Sequence, residues 1–171
     1  METLLSRPLD LVYFIYFSSH ILATCCIDSQ AFLPSEWYPQ VLKDLLSFYV
    51  HTYKDPFMGN PDYWFKSFVV CELVFQLPFF VYACIGLLKN TQHLRFPLAI
   101  YGAHVATTVL PLLAEVLLNP EHKLNWTEKV ILCGFYGPYF ALPCIMLIDS
   151  FIRVNTTLKA AYHHHHHQKT L

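Results

Sequence analysis

The chain has 171 residues, of which 55% are hydrophobic and only 13% charged, with a mean hydropathy of +0.37. A soluble domain carries about 25% charged residues, so a water-soluble globule is excluded and a single lipid-embedded domain is expected. The net charge of -1 with histidine neutral supplies no basic field for a phosphate backbone, which sets nucleic-acid binding aside.

The first apolar run could be mistaken for a signal peptide, but no convincing small-residue cleavage site follows it, and the segment reads as retained. Four stretches, residues 11–27, 67–88, 96–118 and 130–148, are each apolar and long enough, or nearly so, to cross about 30 Å of hydrocarbon as a helix. The only acids inside them are Glu72 in the second and Glu115 in the third. The expected fold is therefore an all-α bundle of four transmembrane helices. Pro78, Pro111, Pro138 and Pro143 each remove an intrahelical hydrogen bond and can kink their helices, which opens a cavity or serves packing alone.

Between the first two helices, residues 28–66 form a loop too long to be structureless in a compact domain, and it should fold over one mouth of the bundle. Within it, residues 38–51 carry Val41, Leu42, Leu45, Leu46 and Phe48 at roughly helical spacing, which predicts an amphipathic helix at the interface. The other connections, 89–95 and 119–129, are short. An even helix count puts both termini beside the 89–95 turn. That side carries six of the eleven Lys and Arg residues, and with its few acids this favours termini in the cytosol and the long loop in a lumen.

The six cysteines all lie in or beside apolar stretches and read as small hydrophobes. The tract His163 to His167 reads as a solvated spacer, with a metal-binding tail as the other reading. The predicted organisation is a four-helix membrane domain over residues 1–153 and a cytosolic histidine-containing tail over 154–171.

Antiparallel helices allow depth to be compared. Asp28 at the end of the first helix, Glu72 early in the second, Glu115 late in the third, and Tyr136 and Tyr139 early in the fourth all face one half of the bilayer. Three polar stripes share a helix face: His20, Thr24 and Asp28; Glu72 and Gln76; and His104, Thr108 and Glu115. Facing lipid they would cost several kcal/mol per charged group, so they should face the bundle interior or a solvated mouth. The plain alternative is that each acid only hydrogen-bonds a neighbouring helix or, for Glu115, reaches the interface. Two carboxylates at similar depth in low dielectric resist ionising together, so one keeps its proton and donates to the other, a ready counter-ion for a cation.

These residues resemble a known family along nearly the whole chain. The strongest match is Trp64-Phe65-Lys66-Ser67-Phe68 followed by Cys71-Glu72-Leu73-Val74-Phe75-Gln76-Leu77-Pro78-Phe79-Phe80. Tyr16-Phe17 with Ser19-His20-Ile21, Asp28-x-Gln30-Ala31, Tyr53-Lys54-Asp55-Pro56, and Thr107-Thr108 before Pro111 support it. The chain resembles the sigma-2 receptor branch of the emopamil-binding-protein (EXPERA) superfamily. That resemblance implies an endoplasmic-reticulum membrane protein, extending to nuclear-envelope and endosomal or lysosomal membranes, with kinked helices and cytosolic termini. It implies a homodimer, and a cavity open to the bilayer that takes sterols, oxysterols and cationic amphiphiles to regulate cholesterol homeostasis and trafficking. A Niemann–Pick-type cholesterol transporter is the partner it suggests. No cofactor and no metal are called for.

By the same resemblance, Asp28 pairs with a ligand amine and Glu72 is its protonated neighbour, while Asp55 acts from the loop by holding it in shape. Tyr49, Met58, Gln76, Thr108, Tyr136 and Tyr139 form pocket walls, and His20 lies on the Asp28 stripe. The superfamily also contains sterol isomerases, but these carry a His one turn before the Glu, where this chain has Phe68. A receptor is therefore expected over an isomerase. The usual lysine-rich C-terminal end is replaced by the histidine tract and Lys169. The sequon Asn125-Trp126-Thr127 sits only a few residues from the fourth helix and is expected to be unmodified.

Overall fold

The computed structural model describes the backbone of residues 3–169 and the side chains of residues 3–162, so the side chains of His163 to His167 lie outside the described residues. Among the described residues every regular element is helical. They are α1 (Pro8–Cys26), α2 (Gln40–Tyr53), α3 (Pro56–Gly59), α4 (Tyr63–Cys71), α5 (Leu77–Leu88), α6 (Arg95–Leu118) and α7 (Trp126–Lys169), with a π-helical turn at Glu72–Gln76 joining α4 to α5. Four helical segments, Pro8–Ala31, Tyr63–Leu88, Gln92–Leu118 and Trp126–Tyr162, are long and apolar enough to cross a membrane, and the chain is a multi-pass membrane protein. The fourth helix continues without a break through position 154, the expected start of the tail.

Chemistry at the helix ends explains most boundaries. Pro8 opens α1, where its missing N–H would have had no partner in any case. Asn125 and Glu128 form a reciprocal capping box on α7, with Glu128 N donating to Asn125 Oδ1 at 3.0 Å and Asn125 N donating to a Glu128 carboxylate oxygen at 2.8 Å. The sequon asparagine is thus engaged as a cap. The π turn has a cause in Pro78, whose ring would meet the carbonyl of Val74 in a regular helix; one wide turn directly before it accommodates the ring.

Packing pairs α1 with α5 and α6 with α7. Gly102 lets the last two approach closely, because a Cβ there would stand 2.5 Å from the Pro143 carbonyl oxygen. One core, around Tyr13, Phe17, Phe80, Leu98, Tyr101 and Met146, fills the half of the bundle nearer the termini. A second, around Phe57, Phe65, Leu112, Val116 and Leu132, fills the half under the long loop. Helix α2 is amphipathic as expected, with Leu46, Tyr49, Val50 and Tyr53 against the second core and Val41, Leu45 and Phe48 exposed.

At the termini end a charged clasp joins all four spans. Asp10, 1% exposed, pairs with Arg7 at 2.5 Å and Arg95 at 2.7 Å and lies 3.8 Å from Arg153, which also holds Asp149 at 2.8 Å. Arg7 additionally donates to the Leu87 carbonyl at 2.8 Å and to Asn90 at 3.0 Å.

Candidate functional site

The two cores part around a cavity of about 300 Å³ under the long loop. Nine of the ten residues expected at the site line it: His20, Asp28, Tyr49, Met58, Glu72, Gln76, Thr108, Tyr136 and Tyr139. The tenth, Asp55, stands behind the wall. Buried at 3% exposure, it caps α3 by accepting from the backbone N–H groups of Phe57 at 2.8 Å and Met58 at 3.0 Å. Its other oxygen accepts from the hydroxyls of Tyr49 at 2.8 Å and Tyr136 at 2.6 Å. One carboxylate therefore ties the loop, its short helix and α7 together and fixes the two tyrosines that face the cavity. Burial and the neighbouring Asp55 carboxylate push the Tyr49 phenol well above its ordinary value, which keeps it a hydrogen-bond donor. A Lys54 to Glu128 ion pair at 2.6 Å adds a second tie between loop and α7.

The polar centre is made by α1 and the π turn. Glu72 Oε1 accepts from the Thr24 hydroxyl and lies 3.3 Å from His20 Nε2. His20 is held by a stack on Phe80 at 4.6 Å and by the Tyr139 ring at 4.7 Å. Asp28 sits apart from this chain of contacts. α1 ends at Cys26, and Asp28 opens a 3₁₀ turn, so it leaves the helical stripe it was expected to share with His20 and Thr24. Its carboxylate makes no hydrogen bond among the described residues, and the expected donation from Glu72 to Asp28 is replaced by the contacts of Glu72 with Thr24 and His20. One donor atom each from His20, Asp28 and Glu72 still lies within 4.8 Å of the other two, a convergent nitrogen and oxygen set of the kind that can hold a cation.

The third polar stripe divides. Thr108 faces the cavity, whereas Glu115 stands near the end of α6 and pairs with Asn119 at 2.8 Å and His122 at 3.1 Å, with 39% of its side chain exposed. It belongs to the interface. Thr24 and Phe68 are among the residues not expected at the site: Thr24 holds Glu72, and Phe68 lines the cavity. The apolar walls contributed by Val69, Val105, Val109 and Leu112 carry no sequence signal, since lipid-facing positions use the same residue types.

An apolar chamber with one unpaired carboxylate and several hydroxyls on its walls can take an amine on a bulky apolar body. The ammonium would meet the carboxylate and the aromatic faces would cover the rest, partly by cation–π contact.

Comparison with known proteins gives a consistent picture. The EXPERA (EXPanded EBP superfamily) family matches residues 41–150. Sigma intracellular receptor 2 from Xenopus tropicalis is 40% identical over 150 residues, covering 84% of this chain and 88% of the relative. The protein of the same name from Homo sapiens is 41% identical over 144 residues, 78% and 82% of the two chains. Efficient mitochondria targeting-associated protein 19 from Schizosaccharomyces pombe is 33% identical over 159 residues, 90% and 80% of the two chains.

Proposed function

The chain belongs to the EXPERA family, the expanded EBP superfamily, and from that membership and its cavity we propose that it is an intracellular membrane receptor for sterols, oxysterols and cationic amphiphiles. The observation that carries this reading is Asp28: a carboxylate in an apolar chamber with no hydrogen-bond partner among the described residues, on the same cavity as a Glu72 whose Oε1 is already engaged. Such an anion gains most from a ligand cation, because burial weakens its hydration and nothing in the protein replaces it. A sterol would use the same walls without the ion pair, its hydroxyl meeting Thr108 or Gln76. Residence in the endoplasmic-reticulum membrane, a lumenal loop, homodimer formation and a role in cholesterol handling are further parts of this proposal, carried by the resemblance alone.

A specific contact favours one alternative, a sterol isomerase. Shifting a ring double bond needs one group that gives a proton and another that removes one, and His20 and Glu72 stand 3.3 Å apart in the cavity. The receptor reading is preferred because Glu72 is turned toward His20 and Thr24, so that His20 and Glu72 meet each other rather than standing apart across a substrate.

One experiment separates the two. Saturation binding of a radiolabelled cationic amphiphile is measured on membranes carrying wild type or Asp28→Asn, with Δ8-sterol turnover assayed on the same membranes. Loss of amine binding in the variant by about thirtyfold or more, with neutral sterol binding retained and no turnover in wild type, is the expected result. Equal loss of amine and sterol binding would overturn the ion pair, and turnover in wild type would make the protein an isomerase.

A further inference from the structure

His20 is a buried imidazole with no hydrogen bond among the described residues. It is 7% exposed, its Nδ1 is enclosed without a partner, and its Nε2 faces Glu72 Oε1 at 3.3 Å. That separation is longer than an ordinary N–H···O hydrogen bond of about 2.7–3.2 Å. Asp28 is in the same condition, its carboxylate turned to the cavity with no hydrogen bond among the described residues. One donor atom from each of His20, Asp28 and Glu72 lies within 4.8 Å of the other two. Buried polar groups left unsatisfied are costly unless something completes them, and here a single ligand could complete all three.

The spacing restricts what that ligand is. Two donors on one tetrahedral zinc ion, with bonds of about 2.0–2.1 Å, stand about 3.4 Å apart. His20 Nε2 and Glu72 Oε1 already have that separation. Asp28, on a 3₁₀ turn and without a hydrogen bond, is the donor free to close the remaining distance. A proton between His20 and Glu72 would serve that contact alone and leave Asp28 as it is. An ammonium balances one carboxylate, whereas a divalent ion balances both beside a neutral imidazole, which matters most in an apolar chamber. One nitrogen with two carboxylates suits zinc over calcium or magnesium, which prefer all-oxygen sets. The donors are also held as ligands need to be. The His20 ring is fixed by Phe80 at 4.6 Å and Tyr139 at 4.7 Å, and the fully buried Thr24 hydroxyl donates to Glu72 and orients it from behind. Asp28 stands just past the end of α1, near the loop end of its span, so an ion crosses little of the bilayer to reach it.

We propose that His20, Asp28 and Glu72 form a zinc site with its fourth position open to the chamber, and that the metal ion and a cationic amphiphile exclude each other at Asp28. The ion takes the carboxylate that an ammonium would otherwise meet, so zinc regulates the cavity by competition. The metal site stands by itself; the exclusion rests on the reading of the cavity as an amine site.

The test uses full-length, chelator-treated protein in phosphatidylcholine nanodiscs, carrying His163→Ser, His164→Ser, His165→Ser, His166→Ser and His167→Ser so that the tail supplies no imidazole. Equilibrium dialysis against radiolabelled Zn²⁺ gives the stoichiometry, and the visible spectrum with Co²⁺ in its place gives the geometry. With the cavity residues intact, one ion per chain and the intense bands of tetrahedral Co²⁺ are expected. Both are expected to be lost in His20→Phe, Asp28→Asn and Glu72→Gln, and zinc affinity to fall about tenfold in Thr24→Val, which removes only the group behind Glu72. Zinc is expected to raise the apparent Kd of a radiolabelled cationic amphiphile in proportion to its concentration while the number of amine sites stays the same. No bound zinc, or an octahedral Co²⁺ spectrum, on the chain with its cavity intact would overturn the metal site whether or not the variants fold. Undiminished zinc binding in Asp28→Asn and Glu72→Gln would overturn it too. Zinc and amine bound together would overturn the exclusion. Absence of amine binding with the zinc results intact would overturn the receptor reading and leave the metal site standing.

Discussion

Asp28 and Glu72 are both carboxylates facing one cavity, yet their surroundings give them different work. Glu72 accepts from Thr24 and faces His20, whereas Asp28 has been left without a partner by the break in α1 after Cys26. Glu72→Gln keeps an oxygen for the Thr24 hydroxyl, so amine affinity should fall by less than tenfold, well short of the loss in Asp28→Asn. A radioligand saturation series on the two variants decides it, and the reverse order would exchange their roles. Tyr49 offers a different handle. Its phenol holds its proton more tightly in the folded loop than in an unfolded chain, where it titrates near 10. Stabilisation from this group is complete below that pH and is lost as pH climbs toward the raised folded value. The melting temperature of wild type should therefore fall more steeply above pH 10 than that of Tyr49→Phe. Residue types and spacing made most of these side chains legible in the sequence. The contact between Thr24 and Glu72 was not legible, because it joins two helices whose relative rotation no local pattern records.

At the scale of elements, the π turn aims the polar centre. Pro78 excludes a regular turn across Val74, and the wide turn that results carries both Glu72 and Gln76 onto the cavity wall. Pro78→Ala restores an N–H donor and lets the segment revert to a regular helix, which rotates Glu72 relative to α1. Amine affinity should fall about tenfold while the melting temperature holds or rises, since proline inside a helix costs about 3 kcal/mol. Unchanged affinity would mean that the turn is packing alone. The proline was visible in the sequence; the π turn was not, because a kink and a bulge are equally open to a proline until neighbouring helices choose between them. The loop followed the same rule. Its amphipathic helix was legible from apolar spacing, while the role of Asp55 as the joint between loop and α7 needed Tyr49 and Tyr136 to be brought to one oxygen.

Across the whole molecule, the cavity lies under the long loop and the charged clasp at the termini end. Asp10 is shared by Arg7 just before α1, Arg95 of α6 and Arg153 of α7, so Asp10→Asn leaves buried guanidinium groups without their anion and should cost about 3–5 kcal/mol. A lower melting temperature in detergent, with amine affinity of the surviving folded fraction unchanged, is the expected outcome; an equal loss of affinity would show that the two ends are coupled. The sequence by itself determined the four spans, the long loop with its amphipathic helix, and the half of the bilayer in which the acids gather. These follow from hydrophobic length and helical period, which are local properties of the chain. Only the tertiary structure decided which acids meet, that Asp28 stands unpartnered while Glu72 is held, that Asp55 works from behind the wall, and that three arginines converge on Asp10. Each of these depends on the rotation and register of one helix against another, and that is fixed by contacts such as Gly102 against Pro143 between residues far apart in the chain.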